Sequence, residues 1–283
     1  MSKNIVEKAI ESIRVLSAEQ VSHANSGHPG IALGAAPMIH TLYSDFMKVV
    51  PSNPKWFNRD RFVLSAGHGS SMLYSMLHLA GYELKMDDLK QFRQFGSLTP
   101  GHPESHLTAG VDATTGPLGQ GLAMAVGMSI AESFLASKYN KNKFPVIDHH
   151  TYVICGDGDL QEGVAQEAMS LAGHLGLGKL IVLYDSNDIQ LDTRVELANT
   201  ENARMKAIGM NWHYQFVADG NRVEDIHAAI LKAKEVEDQP SLIEIKTIIG
   251  YNSSLAGTSK VHGAPLPKAE VEQMRKKLGG EAF

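Results

Sequence analysis

Gly156-Asp157-Gly158 and, one strand later, Asn187 are the residues in this sequence best suited to hold a cation and an anion together. A carboxylate and an amide oxygen are hard donors of the kind magnesium takes. Glycines beside them let a diphosphate approach the backbone, and a helix starting there points its free N–H groups at the anion. The flanking residues bring the two donors together. Tyr152-Val-Ile-Cys155 and Leu180-Ile-Val-Leu-Tyr184 predict short buried strands, and 161–175 carries Val164, Ala168, Leu171, Ala172 and Leu175 at helical spacing. These elements make one βαβ unit of roughly 30 residues. Parallel strands end on the same edge of a sheet, so Asp157 and Asn187 emerge side by side where open α/β sheets bind ligands. Taken alone, a Gly-Asp-Gly turn is equally an ordinary helix start with Asp157 as its N-cap.

Histidines are the second chemical signal. The chain has 13, and His28, His68, His102 and His262 sit in glycine-rich loops and not on helix faces. Imidazoles titrate near neutral pH and can take and return protons. His40, His78, His174 and His227 fall in helical segments and read as structural or surface residues, His149 and His150 as solvated loop residues. No two of these six histidines have the HxxxH spacing of a helical metal site. The single cysteine, Cys155, lies in a predicted strand and reads as core, which excludes a disulfide framework. Arg93 reads equally well as a substrate contact or as half of a surface ion pair.

The elements that must position these groups follow from periodicity. Residues 5–21 predict an amphipathic helix with Ile5, Ala9, Ile13 and Leu16 on one face and Glu7, Lys8, Glu11 and Arg14 elsewhere. Residues 33–47 predict a second helix, with Pro37 near its start. Residues 61–65 read as a strand, 72–79 as a helix, and 86–92 as a short helix capped around Asp87 and Asp88. The stretch 93–115 is long, aperiodic and rich in Gly, Pro, His and Thr, the mark of a functional loop. A small-residue helix runs from the 116–121 turn to about 136, suited to close packing against another helix or another chain. After the βαβ unit come a loop (185–198), a helix (200–208), a strand (212–217), a helix (223–236) and a strand (242–248). Alternating strands and helices predict a three-layer α/β fold: a mostly parallel sheet with helices on both faces. It forms a single domain over 1–283, with a Gly/Ser-rich tail and polar helix from about 250.

Composition narrows the function. The net charge is -5 with no basic stripe, against a nucleic-acid partner. No run approaches the about 20 apolar residues of a membrane span, and the N-terminus lacks the apolar core of a signal peptide. A cytoplasmic protein is expected.

Five separated blocks resemble the transketolase family, enzymes that use thiamine diphosphate. They are Ser26-Gly-His-Pro-Gly30, Ser65-Ala-Gly-His-Gly-Ser70, Thr99-Pro-Gly-His-Pro-Glu104 with Thr115-Gly-Pro-Leu-Gly-Gln-Gly121, Gly156-Asp-Gly158 with Glu162-Gly163, and His262-Gly-Ala-Pro-Leu266. The resemblance implies that Asp157, Asn187 and the Ile189 carbonyl hold magnesium, which calcium or manganese could replace. Gly158 would admit the diphosphate, His68 and His262 would donate to its oxygens, and Gly116, Leu118 and Ile189 would line the cofactor rings. His28, His102 and His262 would face the donor sugar, because ketol transfer needs an oxyanion stabilised, a hydroxyl proton removed and a proton returned to the acceptor aldehyde. His102 is assigned to the hydroxyls of the two-carbon fragment, and His28 with His262 to proton transfer. Glu162 is assigned, among the cofactor-site residues, to a subunit interface, coupled to the partner's activating glutamate.

The resemblance covers the diphosphate-binding part of the family only. The pyrimidine-binding domain, with the activating glutamate and most sugar-phosphate anchors, has no counterpart here. The chain is therefore expected to be the N-terminal subunit of a split transketolase. Its partner would be a C-terminal subunit carrying that domain, in a two-fold heterotetramer acting on sugar phosphates in pentose phosphate-type chemistry. Two other readings are an α subunit of a thiamine-dependent 2-oxo acid dehydrogenase and a non-catalytic cofactor-binding subunit. The sugar-facing histidines argue against the first, the intact Asp157 and Asn187 against the second. Asn252, the 190–194 stretch, Asn202 and Pro267 depart from the family pattern, around the cofactor loop and substrate mouth, and leave the sugar open.

Overall fold

The two central strands, 151–156 and 180–186, are buried along their whole length, as a sheet covered by helices on both sides requires. The computed structural model describes residues 4–279 and 282–283. The first three residues, part of the terminus read above for a leader, lie outside the described residues. Strands β1 (Arg61–Leu64), β2 (Thr151–Gly156), β3 (Leu180–Ser186), β4 (His213–Val217) and β5 (Ser241–Lys246) form one sheet in the order β1-β2-β3-β5-β4. Every pairing is parallel. The α/β architecture expected from the sequence is the one observed.

Alternation along the strands sorts the core into two layers. Tyr152, Ile154, Ile181, Leu183, Ile243 and Ile245 pack with residues of α1 (Ile5–Ala24), α2 (Pro29–Thr41), α3 (Ser70–Leu79) and α9 (Val223–Lys234), α4 to α8 being defined below. Val153, Cys155, Val182 and Tyr184 face the other way, onto α5 (Gln120–Tyr139) and α7 (Gly163–Leu175). Fully burying one such aliphatic side chain contributes about 1.5–3 kcal/mol, so the alternation fixes which side of the sheet each residue serves. The small residues of α5 do what their size predicts: the helix packs on α7 and on the sheet. A Cβ on Gly121 would lie 2.5 Å from the Ser65 Cα, so only glycine allows this approach.

The helix expected at 33–47 starts earlier and ends earlier. It begins at Pro29, where proline suits the first turn, and passes at Thr41 into a π-turn, Leu42–Phe46. Pro37 therefore sits well inside it. Proline has no N–H for the carbonyl of Leu33, and that carbonyl accepts from Arg14 Nε at 2.9 Å. Arg14 is thus buried, not solvated on the polar face of α1, and burial lowers its pKa to about 10.

Short helix α4 (Met86–Lys90) is held by Asp88, whose Oδ2 accepts the Lys85 N–H at 2.7 Å. The Gly-Asp-Gly turn also differs in detail. A five-residue helix, α6 (Asp157–Gln161), starts directly at Asp157 and breaks at Glu162 before α7 begins. The remaining helix of that half, α8 (Ala203–Gly209), is capped by Asn202. The segment from 250 is anchored, although glycine- and serine-rich. Val261 and Leu266 join Val15, Ala18, Leu33 and Ile189 in a third apolar cluster with α10 (Lys268–Leu278). The Gly250 N–H donates to the Gly30 carbonyl at 2.9 Å, bringing the end of the chain to the start of α2.

Candidate functional site

At the carboxyl edge of the sheet, β2 and β3 run in register with Gly156 opposite Asp185. Asp157 and Asn187 leave those strands together, and the Asn187 N–H donates to Asp157 Oδ2 at 3.3 Å. The Tyr184 hydroxyl donates to the other oxygen, Oδ1. Asn187 forms an Asx turn: its Oδ1 accepts the Ile189 N–H at 3.0 Å, and its Nδ2 donates to Asp185 Oδ2 at 2.7 Å. Asp157 is therefore not an ordinary N-cap. The cap position is Gly156, whose N–H donates to Asp159 Oδ2 at 3.0 Å.

One cavity of about 300 Å³ opens beside this edge. Asp157, Gly158, Asn187 and Ile189 line one side, Gly116 and Leu118 another, and His28, His68, His102 and His262 the rest. Of the residues assigned to the cofactor, metal or sugar, Glu162 lies elsewhere, and Arg93, read as a possible substrate contact, does not line the cavity. Glu162 is exposed, in the break between α6 and α7, with its side chain against Gly119. Gly158 faces Leu118 across the cavity wall, where a Cβ would come within 2.8 Å of Leu118 Cδ1.

Three imidazoles form a cluster. Ring centroids of His28 and His68 are 5.1 Å apart, His68 and His262 5.2 Å, His28 and His262 5.7 Å. His102 stands against Gly116. Burial, reinforced by the neighbouring rings and Arg93, lowers the His28 pKa to about 4. Burial likewise lowers His68, His102 and His262; Glu104 partly opposes the shift at His102 and Asp192 at His262. All four are neutral at pH 7. His28 Nδ1 and His262 Nδ1 are buried without a hydrogen-bond partner. Such orphaned atoms in a cavity wall are groups a ligand can satisfy.

The loop that carries His102 is ordered through its backbone. Thr99 Oγ1 donates to the Asp88 carbonyl at 2.7 Å, Ser70 Oγ to the Gly101 carbonyl at 2.8 Å, and the Tyr74 hydroxyl to the Pro100 carbonyl at 2.9 Å. His68 lies in a 3₁₀ turn, Gly67–Gly69, between β1 and α3. His262 follows another, Ser259–Val261, whose Val261 is fully buried.

Two acids missed from the sequence complete the edge. Asp159 is fully buried and Asp185 nearly so. Asp159 Oδ1 accepts from Ser65 Oγ at 2.6 Å and from the Gly119 N–H at 2.9 Å. It thereby joins the ends of β1 and β2 to the turn before α5. The only signal was a second aspartate two residues after the first, at a turn with several free N–H groups. Burial raises the Asp157 pKa to about 7 and that of Asp185 to about 6, with Asp185 adding to the shift at Asp157. Among the described residues, no lysine or arginine pairs with any of these three acids. A divalent cation would relieve that crowding of buried negative charge.

Other residues fall outside the cavity. His78 Nδ1 bonds the Leu84 carbonyl at 2.7 Å, His40 is buried in α2, His174 is exposed, and His227 stacks near Phe46. His149 is buried, contrary to its reading as a solvated residue, and His150 stacks on Tyr152. Asp60 accepts the His150 and Lys48 N–H groups at 2.7 Å each, and Asn58 accepts the Asp148 N–H at 2.7 Å, so the end of the connection before β2 is anchored while 141–145 stay exposed. Cys155 is fully buried. Asn252 has φ +68°, the left-handed region that favours glycine and tolerates asparagine, and Asn202 accepts the Met205 N–H at 2.9 Å as aspartate would. Pro267 is the N-cap of α10. These departures are backbone choices; Gln190 and Leu191, by contrast, line the cavity.

The family described as transketolase, thiamine diphosphate binding domain, matches residues 5–283. A transketolase from Bacillus subtilis is 60% identical over 280 residues, covering 99% of this chain and 41% of the relative. A chloroplastic transketolase from Arabidopsis thaliana is 53% identical over 98% of this chain and 38% of its own length. A crystal structure of the Pichia stipitis transketolase in complex with sedoheptulose 7-phosphate superimposes with a TM-score of 0.96 at 48% identity, over 98% of this chain and 42% of that one. The chain spans about two fifths of the length of these relatives. Among the described residues, no helix is long and apolar enough to cross a membrane.

Proposed function

The chain belongs to the transketolase family through its thiamine diphosphate-binding domain, and from that premise we propose that it is the half of a transketolase that grips the cofactor's diphosphate and its metal. The activity is transfer of a two-carbon ketol unit from a ketose phosphate to an aldose. The carrying observation is the convergence of Asp157, Asn187, Gly158 and the four loop histidines on one cavity.

The residues present fit the implied groups. Asp157, Asn187 and the Ile189 carbonyl would hold magnesium, an assignment supported by the unpaired acids at the sheet edge. Leu118 and Ile189 would give apolar walls to a ring system, and His68 and His262, in the same cavity wall, would donate to diphosphate oxygens. Bound thiamine diphosphate supplies the nucleophilic carbon and the electron sink. His102 then orients the hydroxyls of the two-carbon fragment. His28 and His262, neutral and each with an orphaned Nδ1, take the hydroxyl proton as the carbon–carbon bond breaks and return one to the acceptor aldehyde. Sugar phosphates bound by the Pichia relatives are supporting examples of the substrate class.

A pyrimidine-binding domain must complete the site. In our reading that domain docks on this one, the assembly is two-fold, and exposed Glu162 meets the activating glutamate at the interface. The test is reconstitution of the chain with such a domain, magnesium and thiamine diphosphate. Xylulose 5-phosphate with an aldose acceptor should turn over, and pyruvate with a dye should not. Turnover of pyruvate alone would overturn the ketol assignment. Robust transfer by residues 1–283 without any second domain would overturn the assignment of the missing groups to such a domain.

A further inference from the structure

Arg93 stands between the two loops that carry His28 and His102. Its Nη1 donates to Ser26 Oγ at 3.1 Å, two residues before His28. Its guanidinium also lies along Gly101, the residue before His102, where a Cβ would come within 3.1 Å of Arg93 Nε and 3.2 Å of Cζ. Its own backbone is fixed for this role: φ is +63°, the left-handed region, and its N–H donates to the Thr99 carbonyl at 2.9 Å. A non-glycine residue in that region carries a conformational cost that surrounding contacts must hold in place. Nε and Nη2 are buried without hydrogen-bond partners, so the charge is neither neutralised by a carboxylate nor fully solvated.

We propose that Arg93 is a positioning residue that locks the Ser26–Gly30 and Thr99–Glu104 loops against each other and sets the electrostatic field in which His28 and His102 work. A fixed cation beside an imidazole disfavours its protonated form. At His28 it acts with His262 and His102, and at His102 it is opposed by Glu104. The charge thereby favours the neutral form of both imidazoles. Arg93 touches no reacting atom in this arrangement. It acts through Ser26 and Gly101.

The inference rests on the ketol-transfer reading for its activity arm, and its titration arm stands apart from it. Histidine titrations followed by NMR on the isolated chain should show His28 and His102 moving to higher pKa in Arg93→Gln, with His78 and His174, which lie elsewhere, unmoved. Arg93→Lys keeps the charge and should titrate like the wild type. Arg93→Met keeps the packing on Gly101 and supplies the same neutral test should Gln perturb the fold. In the reconstituted enzyme, Arg93→Gln should lose kcat/KM by on the order of tenfold to a hundredfold, as small misplacements of reacting groups do. The acid limb of its pH profile should move to higher pH, with Arg93→Lys retaining more activity. Unshifted titrations of His28 and His102 in both neutral variants would overturn the proposal whatever the activity. Shifted titrations with no ketol transfer by the wild type would count against the functional reading alone.

Discussion

Ser65 Oγ donates to Asp159 Oδ1 at 2.6 Å, joining the end of β1 to the turn that follows β2. The same hydroxyl accepts the Leu122 N–H at 3.0 Å, and the same carboxylate accepts the Gly119 and Gly156 N–H groups. Two side chains thus fasten three segments behind the cavity wall: the end of β1, the turn into α5 and the Gly-Asp-Gly turn.

Removing that carboxylate leaves buried donors without partners. A hydrogen bond to a charged group contributes about 1.5–3 kcal/mol, and orphaned donors add their desolvation cost. Asp159→Ala should therefore lose roughly 3 kcal/mol or more in urea denaturation, with Asp159→Asn intermediate. A loss below about 1 kcal/mol would show that the turns are held by something else.

Asp157 should behave in the opposite way. It is buried beside Asp185, and its pKa near 7 reports a poorly solvated charge. Asp157→Ala relieves that crowding but strands the Tyr184 hydroxyl, so the stability of the chain alone should change little. Magnesium-dependent cofactor binding should weaken by at least about a hundredfold, the upper range for losing groups that merely support a metal ligand. Calorimetric titration of the reconstituted complex with thiamine diphosphate measures this; wild-type saturation by the variant would refute the metal assignment.

Gly158 and Leu118 form a pair that can be tested as one. A Cβ at 158 meets only the end of a flexible leucine, which can turn aside, so Gly158→Ala should fold with near-normal stability. The leucine then swings into space assigned to the cofactor. Cofactor affinity should fall in Gly158→Ala and partly recover in Gly158→Ala with Leu118→Ala, a coupling of about 0.5–3 kcal/mol in a double-mutant cycle. Additive effects would mean that Leu118 does not form that wall.

Much of this was legible in the sequence because β2 and β3 are continuous apolar runs. Parallel pairing in register then places Asp157 beside Asn187 with no further information. Asp159 was not legible, because a first-turn acid looks the same whether its partners are solvent or the N–H of Gly119, far away in the chain. Arg14 was misread as a surface charge. Its burial follows from Pro37, which frees the Leu33 carbonyl, and that signal becomes readable only once α2 is known to begin at Pro29. His149 and His150 were misread because the anchoring of their segment depends on side chains far away in the chain, Asn58 and Asp60.

His150 gives the pH prediction. Burial, with Lys234 and Lys179 nearby, lowers its pKa to about 3, while an unfolded histidine titrates near 6.5. Between those values the unfolded chain binds the proton and the folded chain does not. Stability rises with pH wherever the unfolded state binds more protons. The contribution of His150 is therefore flat above about pH 6.5 and falls as pH drops toward 3, by up to about 1.4 kcal/mol per pH unit. His150→Phe removes the titration and the unpartnered Nδ1 while keeping a ring to stack on Tyr152. The variant should match or exceed the wild type at pH 7.5, and its advantage should widen steadily from pH 6 to pH 4 in thermal unfolding. A constant difference across that window would mean that His150 is protonated in the folded chain as readily as in the unfolded one.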